Sequence, residues 1–222
     1  MKKKKSLKKE CQIPSTICDT CDGLPDVKEC FDELLTIKNL VYVLGNHDDW
    51  ALNWYTKDFF GAGLPEIIWT SQGGQATIDS YGHINRRMDE KHIKLLKNAK
   101  IFHIEQNYDD QYLFVHGGID PNQKIIEKQS RDLILWDRDL IRYARHKHFQ
   151  NSNYRYGGFK RIYVGHTTTQ NAGKTHPLNY CNVIMMDTGA GWSGKLTIMD
   201  IETKEFWQSD FVKDLYTEGG RD

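Results

Sequence analysis

The apolar run Val41-Tyr42-Val43-Leu44 ends in Gly45-Asn46-His47-Asp48-Asp49, so an amide, an imidazole and two carboxylates crowd the tip of a stretch of strand length. Three other short runs end in a similar way. Residues 112–115 lead into His116-Gly117-Gly118, residues 161–164 into Gly165-His166-Thr167, and residues 15–18 into Asp19-Thr20-Cys21-Asp22. In open α/β sheets, ligands bind beyond the carboxyl ends of the strands. A lone histidine at such a place is more often a satisfied core or loop residue. Four strand ends that each carry a potential ligand point instead to a metal site.

Asp, Asn and two His form an oxygen–nitrogen donor set without thiolate, which suits manganese, iron, or zinc in a catalytic setting. Asn46 is a neutral oxygen donor, and the adjacent His47 is placed to act as a general acid facing a leaving group. A histidine in that role needs a carboxylate to orient it. Asp22, three residues after Asp19, is the candidate.

The elements that must position these groups alternate in type. Strands are predicted over 13–18, 40–44, 101–105, 112–115, 161–164, 183–186 and 196–201, the last close enough in sequence to form hairpins. Helices are predicted over 26–37, 51–60, 86–99 and 131–148, the first with Val27, Cys30, Phe31, Leu34 and Leu35 at apolar spacing. The continuous apolar run 40–44 reads as a strand covered on both faces, followed by a polar loop. Segments 61–85 and 148–160 read as loops, either at the rim of a site or plain surface. The fold class is a mixed α/β layered domain.

The bulk composition sets limits. At 222 residues the chain fits one domain, 13–222, behind a disordered Lys-rich tail at 1–12. The first ten residues hold six lysines and Glu10; with zero net charge overall, the body carries about −5. That argues against a nucleic-acid-binding body. No apolar run approaches the roughly 18 residues of a membrane span, and there is no signal-peptide pattern. Five cysteines, an odd number, are consistent with a reduced, cytoplasmic protein. Cys11, Cys18, Cys21 and Cys30 cluster in sequence, but their spacing is irregular for paired zinc knuckles. Cys30 is expected on the apolar face of its helix.

Taken in order, "CDTCDG", "GNHDD", "FVHGGI" and "VGHTTT" resemble the second to fifth motifs of the calcineurin-like metallophosphoesterases, near the bacterial and phage serine/threonine phosphatase branch. "LWDRDL" resembles the family's phosphate-binding arginine segment, and residues 186–201 resemble its closing hairpin. The resemblance spans roughly residues 17–208. It implies a β-sandwich flanked by helices and a metal-dependent phosphomonoester hydrolase. It implies Asp19 as the metal-bridging carboxylate, with Asn46, His116 and His166 completing the second metal's shell. His47 becomes the proton donor oriented by Asp22, and Arg138 the phosphate clamp, for which a guanidinium fork is geometrically suited. Two divalent ions, manganese first and iron or zinc as alternatives, would lie about 3.5–4 Å apart and activate a water for in-line attack. The substrate would be a phosphorylated protein or a small phosphate ester.

The family's first motif, Gly-Asp-x-His-Gly, does not stand before Asp19, and Gly23 and Leu24 replace a family Arg-Gly. The resemblance therefore implies a domain lacking its first strand–helix unit, of reduced stability, with a first metal site short of two ligands and activity open to impairment. The chain reads as an incomplete product, as a degenerate protein, or as one in which His103 or Glu105 supplies the missing ligand. Two rival functions remain: a non-catalytic phosphatase-fold binding protein, and a zinc-stabilised interaction module built on the cysteines.

Overall fold

A computed structural model describes residues 15–56, 64–82, 87–123 and 126–216. The Lys-rich tail and Cys11 lie outside the described residues, as do the end of the helix predicted over 51–60 and the start of that over 86–99. In chain order the elements are β1 (Ser15–Thr16), α1 (Val27–Leu34), β2 (Val41–Tyr42), α2 (Asn46–Thr56), α3 (Leu64–Trp69), α4 (Gln75–Ser80) and α5 (Glu90–Lys97). There follow β3 (Phe102–Asn107), β4 (Asp110–Val115), α6 (Arg131–Trp136), α7 (Asp139–Gln150) and β5 (Arg161–Val164). The chain continues through β6 (Leu178–Tyr180), β7 (Val183–Met185), β8 (Thr197–Met199), β9 (Phe206–Gln208) and α8 (Val212–Leu215).

The central sheet has the order β3-β4-β5-β7-β6. β4, β5 and β7 run parallel in its middle, and the edge strands β3 and β6 pair antiparallel. Side chains alternate between its faces. Leu113, Val115, Ile162, Val164, Val183 and Met185 join Ile134, Leu140, Ile141 and Ala144 of α6 and α7 in one core. Tyr112, Phe114, Tyr163 and Ile184 form the other face and pack with Ile17 and Val43. β1 and β2 pair in parallel as a small second sheet. Beyond it, Tyr42 and Leu44 meet Phe31, Ala51, Trp54, Trp69, Ile78 and Leu96 in a helical layer. The run 40–44 is thus covered on both faces, as its composition predicts. The architecture is a mixed α/β sheet system flanked by helices.

Local structure departs from expectation at several places, each with a physical cause. "GNHDD" is the first turn of α2, not a loop. The buried Asp48 carboxylate accepts the Gly45 N–H at 3.2 Å while the Asp49 N–H donates to the Gly45 carbonyl at 3.0 Å. A carboxylate turned back on the amide that opens the helix caps it. The described part of segment 61–85 is not a loop; α3, the wide turn Thr70–Gly74 and α4 run through residues 64–80, with a kink where Gly73 has φ of 102° and interrupts the helical period. The helix predicted over 131–148 breaks at Asp137 and Arg138. Asp137 accepts the N–H groups of Asp139 (3.1 Å) and Leu140 (3.0 Å) and so starts α7. The loop after β4 presses on that break: the Gly117 N–H donates to the Ile134 carbonyl at 2.8 Å, and a Cβ on Gly117 would lie 2.8 Å from the Asp137 nitrogen. Residues 148–150 of the second expected loop complete α7, and Tyr156 and Phe159 further along are buried in the core. Cys30 lies on the exposed side of α1 rather than in the core, because Val27 and Phe31 take the buried stripe. β6 and β9, absent from the sequence reading, complete the two hairpins.

Asp48 accepts from the backbone N–H groups of Thr20, Cys21 and Gly45 and from the Tyr42 hydroxyl. Removing it leaves several buried donors unpaired, each costing about 1–3 kcal/mol. Asp48→Ala is therefore expected to lower the unfolding free energy by at least about 3 kcal/mol, measured by urea titration with an unchanged m-value. A loss below about 1 kcal/mol would remove Asp48 from this role.

Candidate metal centre and active site

The four segments that carry the expected ligands come close to one another. Asp19 follows β1, Asn46 opens α2 after β2, His116 follows β4 and His166 follows β5. The His116 Nε2 lies 2.8 Å from Asn46 Oδ1 and 3.6 Å from Asp19 Oδ1. The His166 Nδ1 lies 2.9 Å from the same Asn46 oxygen. The His47 backbone N–H donates to Asp19 Oδ1 at 3.0 Å. Close approach is possible because residue 45 is glycine: a Cβ there would come within 2.0 Å of Asp19 Oδ1 and 3.0 Å of the His116 ring.

The proton positions follow from the partners. His116 Nδ1 sits 2.9 Å from the Ile17 carbonyl, which only accepts, so Nδ1 carries the proton and Nε2 turns a lone pair toward the two oxygens. Asn46 is 1% exposed and directs its oxygen at both imidazoles, while its Nδ2 is buried without a partner. An amide oriented this way, with an uncompensated lone pair facing its oxygen, fits a cation better than it fits a balanced hydrogen-bond network. A neutral oxygen, a carboxylate and two imidazoles without thiolate are the donor set of a divalent ion of intermediate hardness. Burial, reinforced by His116 and Arg138, pushes the His166 pKa down to about 3, which keeps the ring neutral and able to ligate.

Beside these atoms lies the His47–Asp22 pair. His47 Nδ1 donates to Asp22 Oδ2 at 2.6 Å, and the Asp22 side chain is fully buried. Two more donors hold that carboxylate: Trp69 Nε1 at 2.9 Å and the Thr77 hydroxyl at 2.6 Å. The Asp22 N–H donates in turn to the Thr77 hydroxyl at 2.9 Å. Asp22 holds φ at 77°, the left-handed region, where backbone strain persists only if the surroundings impose it. With Nδ1 protonated, His47 presents Nε2 away from Asp22, as a proton donor in its charged form. Sequence reasoning missed Trp69 and Thr77, because the glycine-interrupted helices that carry them read as a loop.

An aromatic wall adjoins the pair. The Trp50 ring lies 5.2 Å from His47 and 4.8 Å from Trp136, and Trp136 lies 5.7 Å from His166, all between centroids. Neither tryptophan carries a signal in the sequence that separates it from a core residue. Arg138 is exposed at the break between α6 and α7, and its Nε–H donates to His166 Nε2 at 3.1 Å. Arg138, expected as the phosphate clamp, thus stands beside a ligand candidate.

Other expectations are not met. His103 and Glu105 bond to each other at 3.1 Å on edge strand β3, with His103 against Phe114, so their alternation points them to a sheet face and not to the ligands. Among the described residues, Cys18, Cys21 and Cys30 do not converge with other donors on one point. Burial, with Asp48 and Asp22 adding, raises the Cys21 thiol well above its ordinary pKa, which disfavours the thiolate zinc needs. Asp32, Asp89 and His92 do approach one another. There Lys28 and Lys91 already pair with Asp32, and the His92 nitrogens face Tyr81 at 2.7 Å and Asp32 at 3.1 Å, so the cluster is an ion-pair network.

No protein-family model and no curated protein matches the chain. Solved structures do. A protein provisionally named a diadenosine tetraphosphatase superposes with a TM-score of 0.53 at 12% identity, over 94% of this chain and 79% of the other. A hypothetical protein from Pyrococcus horikoshii OT3 gives 0.46 at 15% identity, over 91% and 76%. A metallophosphoesterase from Sphaerobacter thermophilus gives 0.45 at 15% identity, over 89% and 76%. The first of these likenesses establishes a shared fold. Among the described residues, no helix is long and apolar enough to cross a membrane.

His166 also ties stability to pH. Its pKa is near 3 folded and about 6.5 unfolded, so the unfolded chain takes up a proton that the folded chain refuses between those values. Its contribution is intact above about pH 6.5 and is lost as pH falls toward 3. In chelator-treated protein, His166→Gln is expected to flatten the decline in unfolding free energy over this window. An unaltered pH profile would show that burial does not hold the ring neutral.

Proposed function

We propose that the chain is a metal-dependent phosphomonoester hydrolase. One observation carries this reading: Asn46 Oδ1 stands between His116 Nε2 and His166 Nδ1, and His116 Nε2 also faces Asp19, beside a buried, carboxylate-oriented His47. A nucleophile-activating centre and a proton donor on adjacent residues of one helix turn suit the cleavage of an ester, in which one oxygen attacks and another departs. The shared fold with a protein named for phosphate-anhydride hydrolysis supports the phosphoryl class. A divalent ion, manganese by preference, would be held by Asp19, Asn46, His116 and His166 and would supply Lewis-acid polarisation of the phosphoryl group and an acidified water.

The chain's own residues supply the rest. His47, protonated and held by Asp22, donates from Nε2 to the departing oxygen. Trp69 and Thr77 share the Asp22 charge and fix its direction, so His47 keeps one orientation through the reaction. A His166 ring that offers its Nδ1 lone pair carries its proton on Nε2 and no longer accepts from Arg138. The guanidinium is then free to turn its fork to phosphate oxygens. Trp50 and Trp136, tilted 59° to each other, form an apolar wall that would seat the leaving group. The substrates this arrangement fits are phosphoserine or phosphothreonine in a protein, or a small phosphate ester.

Hydrolysis of p-nitrophenyl phosphate with added manganese is the direct test. Wild type should turn over, and chelation should abolish the rate. His47→Asn should lower kcat by about 10²–10⁴-fold, and Asp22→Asn by about 10–100-fold with KM little changed. Equal rates in wild type and His47→Asn, with the fold verified by circular dichroism, would sink the assignment. Trp136→Ala separates binding from chemistry, with KM expected to rise severalfold while kcat holds.

A further inference from the structure

A concave site lies along α7, apart from the candidate metal ligands. It has a volume of about 480 Å³ and is walled by Tyr143, Tyr154 and Tyr156 together with His146, Lys147 and Arg155. The volume is in the range that holds small organic ligands. Pro121 and Asn122, on the loop that follows His116, form part of its rim. The helix rise places the pocket about 7–18 Å along α7 from Arg138.

Its chemistry differs from that of the surrounding surface. No carboxylate is among its lining residues. The body of the protein is acidic, yet among the described residues neither Lys147 nor Arg155 forms an ion pair with an acid. Lys147 Nζ stands 5.2 Å from the centroid of the Tyr154 ring, and Tyr154 meets Tyr156 edge to face at 4.8 Å. Tyr156 is buried and Tyr154 is exposed, so the pair anchors a ring on the core and presents another to solvent. Cations that lack a carboxylate partner attract an anion, and exposed aromatic faces beside them accept a flat ring by stacking.

We propose that this pocket binds a nucleoside phosphate, with the base against Tyr143 and Tyr154 and the phosphates on Lys147, Arg155 and His146. A single-stranded nucleic acid would share that chemistry, but a concave site of this size accommodates one nucleotide and the acidic body does not extend it into a basic track. The proposal is independent of the hydrolase reading, since it uses none of the metal-centre residues.

The test is anisotropy of a fluorescent ADP analogue, titrated with full-length protein in chelator so that no turnover intervenes. Unlabelled ADP should displace the analogue, inorganic phosphate should compete at least tenfold less well, and added salt should weaken binding. Tyr154→Ala and the pair Lys147→Ala with Arg155→Ala should each raise Kd at least tenfold, while Tyr154→Phe should retain binding. None of these should alter hydrolysis of p-nitrophenyl phosphate. His166→Ala should leave nucleotide affinity unchanged. The proposal is overturned by the absence of binding at millimolar protein-accessible concentrations, or by phosphate competing as well as ADP. It is equally overturned if His166→Ala rather than the pocket variants removes affinity, or if an oligonucleotide binds more tightly than ADP.

Discussion

The buried carboxylate of Asp48 holds the site together. It takes backbone N–H groups from Thr20 and Cys21 on the loop after β1, the Gly45 N–H at the start of α2, and the Tyr42 hydroxyl from β2. One side chain thus fixes the separation of the two segments that carry Asp19, Asp22, Asn46 and His47. Burial and the neighbouring Asp19 both raise its pKa, and the donated hydrogen bonds oppose that rise. Carboxylate acceptors in low dielectric bind such donors strongly, but an unpaired one would be costly. The loops and the helix start are therefore stable only in the geometry that satisfies all four donors.

The same arrangement concentrates negative charge. Asp19, Asp22 and Asp48 lie on two short segments that meet, and the aligned amides of the first turn of α2 compensate part of that charge. Asp22 accepts hydrogen bonds from His47, Trp69 and Thr77. Asp19 instead faces His116 Nε2, a lone-pair nitrogen that the Asn46 oxygen faces as well. A cation at that point would relieve both the carboxylate repulsion and the opposed lone pairs, which links the fold's internal electrostatics to the proposed chemistry.

The central sheet supplies the two histidines through its topology. β4 and β5 are parallel neighbours, so their carboxyl ends emerge side by side and place His116 and His166 in ring contact at 5.2 Å. β1 ends against them through the Ile17 carbonyl, which holds His116 in one tautomer. The break between α6 and α7 completes the rim by turning Trp136 and Arg138 toward the same end of the sheet. A layer of helices, a sheet and a smaller sheet thus meet where their polar termini do not need to be buried against apolar surface.

Much of this was legible in the chain itself. Asp19, Asn46, His47, His116 and His166 stand out because each follows a short apolar run, Asp22 as the carboxylate near Asp19 and Arg138 through the family resemblance, and the positions of the core strands follow from runs of apolar residues. Local chemistry suffices there, since a ligand type next to a turn glycine is a one-dimensional pattern. The cap by Asp48, the support of Asp22 by Trp69 and Thr77, the wall of Trp50 and Trp136, and the tyrosine pocket along α7 are not such patterns. Trp69 lies 47 residues from Asp22 and Thr77 lies 55, and both were hidden in a segment whose helical period is broken by Gly73. Residue type and spacing determined which groups were available for chemistry. Which of them touch, which proton each imidazole carries, and which carboxylate is compensated were decided only by packing, because those depend on partners that the sequence keeps far apart.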